Sequence, residues 1–182
     1  YSTDTGAAST VTAVAQSHYA VGATYVTSAG DTAVTMGAGY STTDFANTGT
    51  ALSNDESGYH VGISAVTGNL TVAAGFADGD RVIPGNPTGM QSTNEVSKAG
   101  VKYVSGDITF NVGVAIGDAS DGATGAAYAG NDSVESTSAS VSYAVASGVT
   151  AILGYTNKDA SNEGFADAAV GSGWYVGATV SF

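Results

Sequence analysis

The feature that most constrains this chain is a strict alternation of apolar with small or polar side chains, repeated along its length and clearest in residues 174–182. There Trp174, Val176, Ala178, Val180 and Phe182 share one face of an extended strand, while Tyr175, Gly177, Thr179 and Ser181 share the other. A period of two selects strands over helices. In a water-soluble protein the apolar face must meet a second layer of protein; in a closed barrel inside a bilayer it can meet lipid.

Nine stretches carry the pattern, at 17–26, 32–41, 57–66, 70–77, 96–104, 108–117, 136–146, 149–157 and 172–182. Their apolar rows include Tyr19, Val21, Ala23 and Tyr25 in the first, Val34, Met36, Ala38 and Tyr40 in the second, and Ile108, Phe110, Val112, Val114 and Ile116 in the sixth. Opposite them stand Gly, Ser, Thr, Asn, His and Lys almost without exception, which describes an apolar exterior around a polar or small-residue interior. No run of 18 apolar residues exists, so the sequence offers no membrane-spanning helix.

The connections alternate in length. Residues 27–31, 67–69, 105–107 and 147–148 are short and rich in Gly, Ser, Asn and Asp, the chemistry of hairpin turns. Between them lie the long segments 42–56, 78–95, 118–135 and 158–171. Short turns on one side and long loops on the other are the layout of an all-β, antiparallel, up-and-down transmembrane β-barrel. Loops of that length throughout a compact soluble domain are uncommon.

Charge follows the same geometry. The chain holds 16 acidic and 4 basic residues, a net charge of -12, which argues against nucleic-acid binding because that needs a basic footprint. All the acidic residues except Asp31 and Asp107, which sit in short turns, fall in the long segments or the leading residues. None interrupts the middle of an apolar row, where a charge costs about 2–4 kcal/mol for Arg or Lys and less for Asp or Glu. Tyr19, Tyr40, Tyr59, Phe76, Tyr155 and Trp174 would form an aromatic girdle on the loop side, with Tyr25, Tyr103, Phe110, Tyr143 and Phe182 on the turn side. The alternative is that these rings fill the core of a β-sandwich.

These residues carry a resemblance. The strand 174–182 resembles the C-terminal strand of Gram-negative outer-membrane barrels, and the serial hairpins over 17–182 resemble the C-terminal part of a general porin of the alphaproteobacterial type. Segments 18–26 (HYAVGATYV), 59–66 (YHVGISAV) and 174–182 (WYVGATVSF) look like one strand unit reused. The resemblance implies an outer-membrane location, contact with the lipid bilayer and lipopolysaccharide, and a homotrimer. It also implies that the last strand, with Trp174 and Phe182, is read by the barrel-assembly machinery.

Nine strands is an odd count, whereas single-chain bacterial barrels use an even one, and the first strand runs into a short turn and so must start from the long-loop side. Residues 1–16 are therefore expected to end an external loop, and 17–182 to be the C-terminal strands of a larger barrel; the resemblance to a general porin implies a total of about 16 strands, with about seven more upstream. A ten-strand barrel using residues 7–15 is the alternative, but no turn separates Gln16 from Ser17.

Sixteen to eighteen strands leave an aqueous channel, so the expected function is passive diffusion of small hydrophilic solutes and ions, with a weak cation preference from the acidic loops. The rival is a structural or adhesive barrel with a plugged lumen. Lys98 and Lys102, on one face of one strand, read as a basic patch on the pore wall or as lysines snorkelling toward headgroups. His60, Thr109 and Asn111 share the inward phase, as does His18. The two histidines read as hydrogen-bonded lining, not as catalysts, since no nucleophile or metal-ligand motif accompanies them. Asp78 with Asp80, and Asp118 with Asp121, could hold Ca²⁺ in external loops, or be solvated loop charge. No other cofactor is expected, and the chain reads as non-enzymatic.

Overall fold

In a computed structural model, residues 14–46, 55–82, 91–121, 131–161 and 169–181 are described. They form nine strands: β1 (Val14–Ala29), β2 (Thr32–Ala46), β3 (Glu56–Thr67), β4 (Leu70–Val82), β5 (Gln91–Ser105), β6 (Ile108–Asp121), β7 (Asn131–Ala146), β8 (Val149–Ser161) and β9 (Ala169–Val180). All nine join one sheet in chain order, each antiparallel to the next.

Every alternating stretch is a strand, but the strands are longer than the apolar alternation indicates. At 12 to 16 residues they exceed the ~9–11 that a tilted strand needs to cross a bilayer. The extra length comes from segments expected to be loop: 42–46, 78–82, 91–95, 118–121, 131–135 and 158–161 are all in the ladder. Pairing is a backbone property and continues past the hydrocarbon wherever neighbouring strands run on together. Apolar alternation marks only the part that lipid touches.

The turns explain the hairpins. Gly30, Gly68 and Gly106 have φ of 59°, 54° and 59°, and each is the first residue of a two-residue loop completed by Asp31, Asn69 or Asp107. Positive φ at the first position alone is the type II′ pattern, whose twist matches that of the strands. At the fourth hairpin the positive φ moves to the second loop residue, Gly148 at 76°, and β7 takes a register shift between Ala144 and Ala146.

Successive hairpins are staggered. Leu70, which opens β4, pairs with Tyr103, not with Ser105 at the end of β5; Ile108 pairs with Tyr143, not with Ala146 at the end of β7. The backbone bonds Val104 N–H to Asn69 O (3.0 Å) and Ala144 N–H to Asp107 O (2.9 Å) fasten each turn to the longer strand beside it. This is the shear that tilts strands around a barrel.

The register sorts side chains onto two faces. Across the apolar face, Val72 pairs with Val101, Val101 with Val112 and Val112 with Ala139; one layer nearer the turns, Leu70 pairs with Tyr103, Tyr103 with Phe110 and Phe110 with Val141. On the loop side the rings of Tyr59 and Phe76 approach to 6.0 Å and those of Tyr155 and Trp174 to 4.9 Å. Among the described residues no hydrophobic side chain is buried, and Val176, Trp174 and Val21 are 82%, 74% and 70% exposed. A single sheet with a continuous uncovered apolar belt is not a sandwich core; its solvent is lipid.

Candidate functional site: the polar face of the sheet

The face turned away from lipid is built from small residues. Gly37, Gly62 and Gly75 stand in line across β2, β3 and β4, and Gly100 faces Gly113 across β5 and β6. Lys98 and Lys102 rise from among these small residues.

Lys98 stands opposite Gly75 and Ala115, and Lys102 opposite Thr71 and Asn111. Both ammonium groups therefore rise between small or neutral neighbours and are exposed. The Asn111 amide reaches Ser140 Oγ at 3.4 Å, and Thr109 pairs with Ser142 one step closer to the turn. Thus Lys102 and Asn111 are brought together on adjacent strands. Lys98 lies four residues up the same strand, about 13 Å away at ~3.3 Å per residue.

His60 is not part of that group. It stands on β3 opposite Gly39 and Ala77, and its imidazole lies across Gly39 closely enough that a Cβ there would collide with the ring. His18 is farther along the face on β1, with Nδ1 3.0 Å from Thr43 Oγ1. The histidines neither meet each other nor meet a carboxylate in any described contact.

Asp78, Asp80, Glu95 and Asp118, expected in loops, stand instead in strands, on the outer face above the apolar belt. Asp78 pairs with Glu95 and Glu95 with Asp118, in consecutive strands β4, β5 and β6. Asp80 stands opposite Ser57 and Thr93, and Asp121 pairs in the ladder with Ser92. Extension of the ladder, which holds neighbouring side chains side by side instead of curling them around a point, is the reason. Among the described residues no group of three or more His, Cys, Asp or Glu converges as a metal site.

Two inward groups were missed by sequence reasoning. Lys158 continues the inward phase of β8 beyond Thr150, Ile152, Gly154 and Thr156, opposite Ser136 and Gly171; assigning 158 to a loop concealed it. Tyr175 is an aromatic on the polar face of β9, and the hydroxyl-bearing end of its ring lies over Gly154, where any Cβ would overlap it. The alternation of 174–182 placed Tyr175 on this face, but only register shows that a glycine lies beneath. The inward phase also holds Glu56, paired with Thr43, and Asp132, paired with Ala119. Trp174, by contrast, is on the lipid face against Tyr155, and Phe182 lies outside the described residues.

Nine antiparallel strands in chain order, an apolar belt with aromatic borders, short turns at one end and a polar inner face define a transmembrane β-barrel. Comparison with known proteins gives the family. Residues 1–163 match the model of the Gram-negative porin family, and the chain belongs to that family. Its place is accordingly the outer membrane of a Gram-negative cell. Two solved structures of OmpT from Vibrio cholerae, one expressed in the outer membrane and one folded in vitro, are similar in fold. They superpose with TM-scores of 0.60 and 0.61 at 13% identity, over 90% of this chain but only 56% and 55% of theirs. The chain thus spans a little over half the length of those barrels. None of the curated proteins compared with it matches.

Proposed function

We propose that this chain forms part of the wall of a water-filled channel through which small hydrophilic solutes and ions diffuse passively, without catalysis. The observation that carries this reading is the inner face itself: glycines and other small residues in ranks, with Lys98, Lys102 and Lys158 standing among them. A barrel wide enough to hold water needs such a lining, whereas a narrow one fills its interior with side chains. β1 and β9 run in the same direction, so they cannot close on each other as an antiparallel pair. We take the closed wall to have about 16 strands, with further strands completing it, in keeping with the partial cover of the two similar barrels.

The acidic excess gathers at the loop end, on the outer side of the wall at Asp78, Glu95, Asp118, Glu135 and Asp159, and attracts cations to the mouth; the lysines on the inner wall act against it. The proposed preference is weakly for cations. Trimeric assembly, lipopolysaccharide contact at the outer leaflet and reading of the last strand by the barrel-assembly machinery belong to the same proposal.

Planar-bilayer recording of the purified full-length protein tests it. Stepwise openings, with current rising in proportion to salt, are the expected result. A sealed membrane would instead support the structural or adhesive barrel with a plugged lumen.

A further inference from the structure

The cross-strand register lines up one row of polar groups that the sequence scatters over more than a hundred positions. Thr71 on β4 pairs with Lys102 on β5, Lys102 with Asn111 on β6, Asn111 with Ser140 on β7, Ser140 with Gly154 on β8, and Gly154 with Tyr175 on β9. Directly paired residues share a face, so all six belong to the inner wall. The order of chemistry along the row is not uniform. A cation stands toward one end, a hydrogen-bonded amide and hydroxyl occupy the middle (Asn111 Nδ2 to Ser140 Oγ, 3.4 Å), and an aromatic ring reaching over a glycine closes the other end.

Three of the components have a function left over. Asn111 donates one N–H to Ser140, leaving its second N–H and its carbonyl for a ligand. Gly154 is the one buried residue of its strand because the ring of Tyr175 covers it. Tyr175 itself stays 45% exposed, so part of its ring is open to a solute in the lumen. Lys102 is exposed, with no acidic residue directly opposite it on either neighbouring strand. From β5 to β8 the row crosses three strand spacings of about 4.8 Å, or roughly 14 Å, the length of two sugar rings and a phosphate.

We infer that the row Lys102, Asn111, Ser140 and Tyr175 is a weak binding track for a hydroxylated solute with one anionic end, of the class of phosphorylated disaccharides. The anionic group meets the Lys102 ammonium, sugar hydroxyls exchange hydrogen bonds with Asn111 and Ser140, and the C–H face of a sugar ring lies on Tyr175. Because the row runs perpendicular to tilted strands, it climbs the wall from the turn end, and a solute that follows it advances along the channel. This inference rests on the channel reading above.

The test is ion current through the full-length protein in a planar bilayer, with trehalose 6-phosphate, trehalose and inorganic phosphate as probes. Trehalose 6-phosphate is expected to reduce the current at a concentration about tenfold or more below that needed of either other probe, since the paired charge contributes on that order. Lys102→Gln and Tyr175→Ala are each expected to raise that concentration about fivefold, while Tyr175→Phe, which keeps the ring and the cover over Gly154, leaves it within about twofold. Should Tyr175→Ala fail to fold, Lys102→Gln and Tyr175→Phe still decide the matter. Equal block by inorganic phosphate would show a bare point charge, and equal block by trehalose would show that Lys102 has no part; either overturns the track. An open channel indifferent to all three overturns the track alone, and absence of current overturns the channel as well.

Discussion

Asn111 and Val112 are adjacent in β6 and share the same backbone ladder, yet they are subject to opposite rules. Val112 looks outward, opposite Val101 and Ala139, and is 61% exposed; Asn111 looks inward, opposite Lys102 and Ser140. On the outer face the requirement is collective: every member of the belt must be apolar, because hydrocarbon offers no partner to a polar group. On the inner face the requirement is individual, since water satisfies whatever the protein does not, and what matters is the neighbour each group is given. The outer face therefore tolerates shuffling among apolar residues, while the inner face tolerates changes of polarity but not of shape where a ring lies on glycine.

The largest expected effect comes from breaking the outer rule. Val112→Arg should cost about 2–4 kcal/mol in reversible unfolding from lipid vesicles, while Asn111→Arg, one residue away, folds like the parent and changes conductance instead. Equal losses from the two variants would mean that the faces are not distinguished by solvent. Next, Gly154→Val should force Tyr175 off its seat and cost about 1–3 kcal/mol in the same assay, as overpacking does. Gly177→Val on the neighbouring strand, where a Cβ meets nothing within 4 Å, should stay within about 0.5 kcal/mol. A similar cost at both glycines would remove the shape rule for the inner face.

At the turns neither face governs, and the backbone alone decides. Gly68, with φ of 54°, should lose about 1 kcal/mol on replacement by Ala, read in the same unfolding series, because only glycine takes that conformation without strain. The smallest effect sharpens the comparison electrically. Lys102→Gln should move the reversal potential in a salt gradient further toward cation preference, whereas Asp118→Asn on the outer face should leave it nearly unchanged. Identical shifts would show that charge on both sides of the wall is felt equally in the lumen.

Much of this was legible in the residues. Alternation located all nine strands, and the Gly, Ser, Asn and Asp of 27–31, 67–69, 105–107 and 147–148 marked the four short turns, which the ladder narrows to two residues each. The inward phase of Lys98, Lys102, His60, Thr109 and Asn111 followed from the same alternation. The strand ends did not, because Asp78, Glu95, Asp118 and Glu135 read as loop once the apolar residues stopped, though the ladder carried them on. Lys158 was hidden for the same reason.

What the sequence determined alone is which side of each strand meets lipid and where each short turn bends, for both are set within a few consecutive residues by side-chain period and by the conformational freedom of glycine. Only the tertiary structure decided who stands beside whom. The offset of Leu70 against Tyr103 and of Ile108 against Tyr143 brings Lys102, Asn111, Ser140 and the Tyr175 ring into one row. That offset belongs to the hydrogen-bonded stagger between strands, and no single strand contains it.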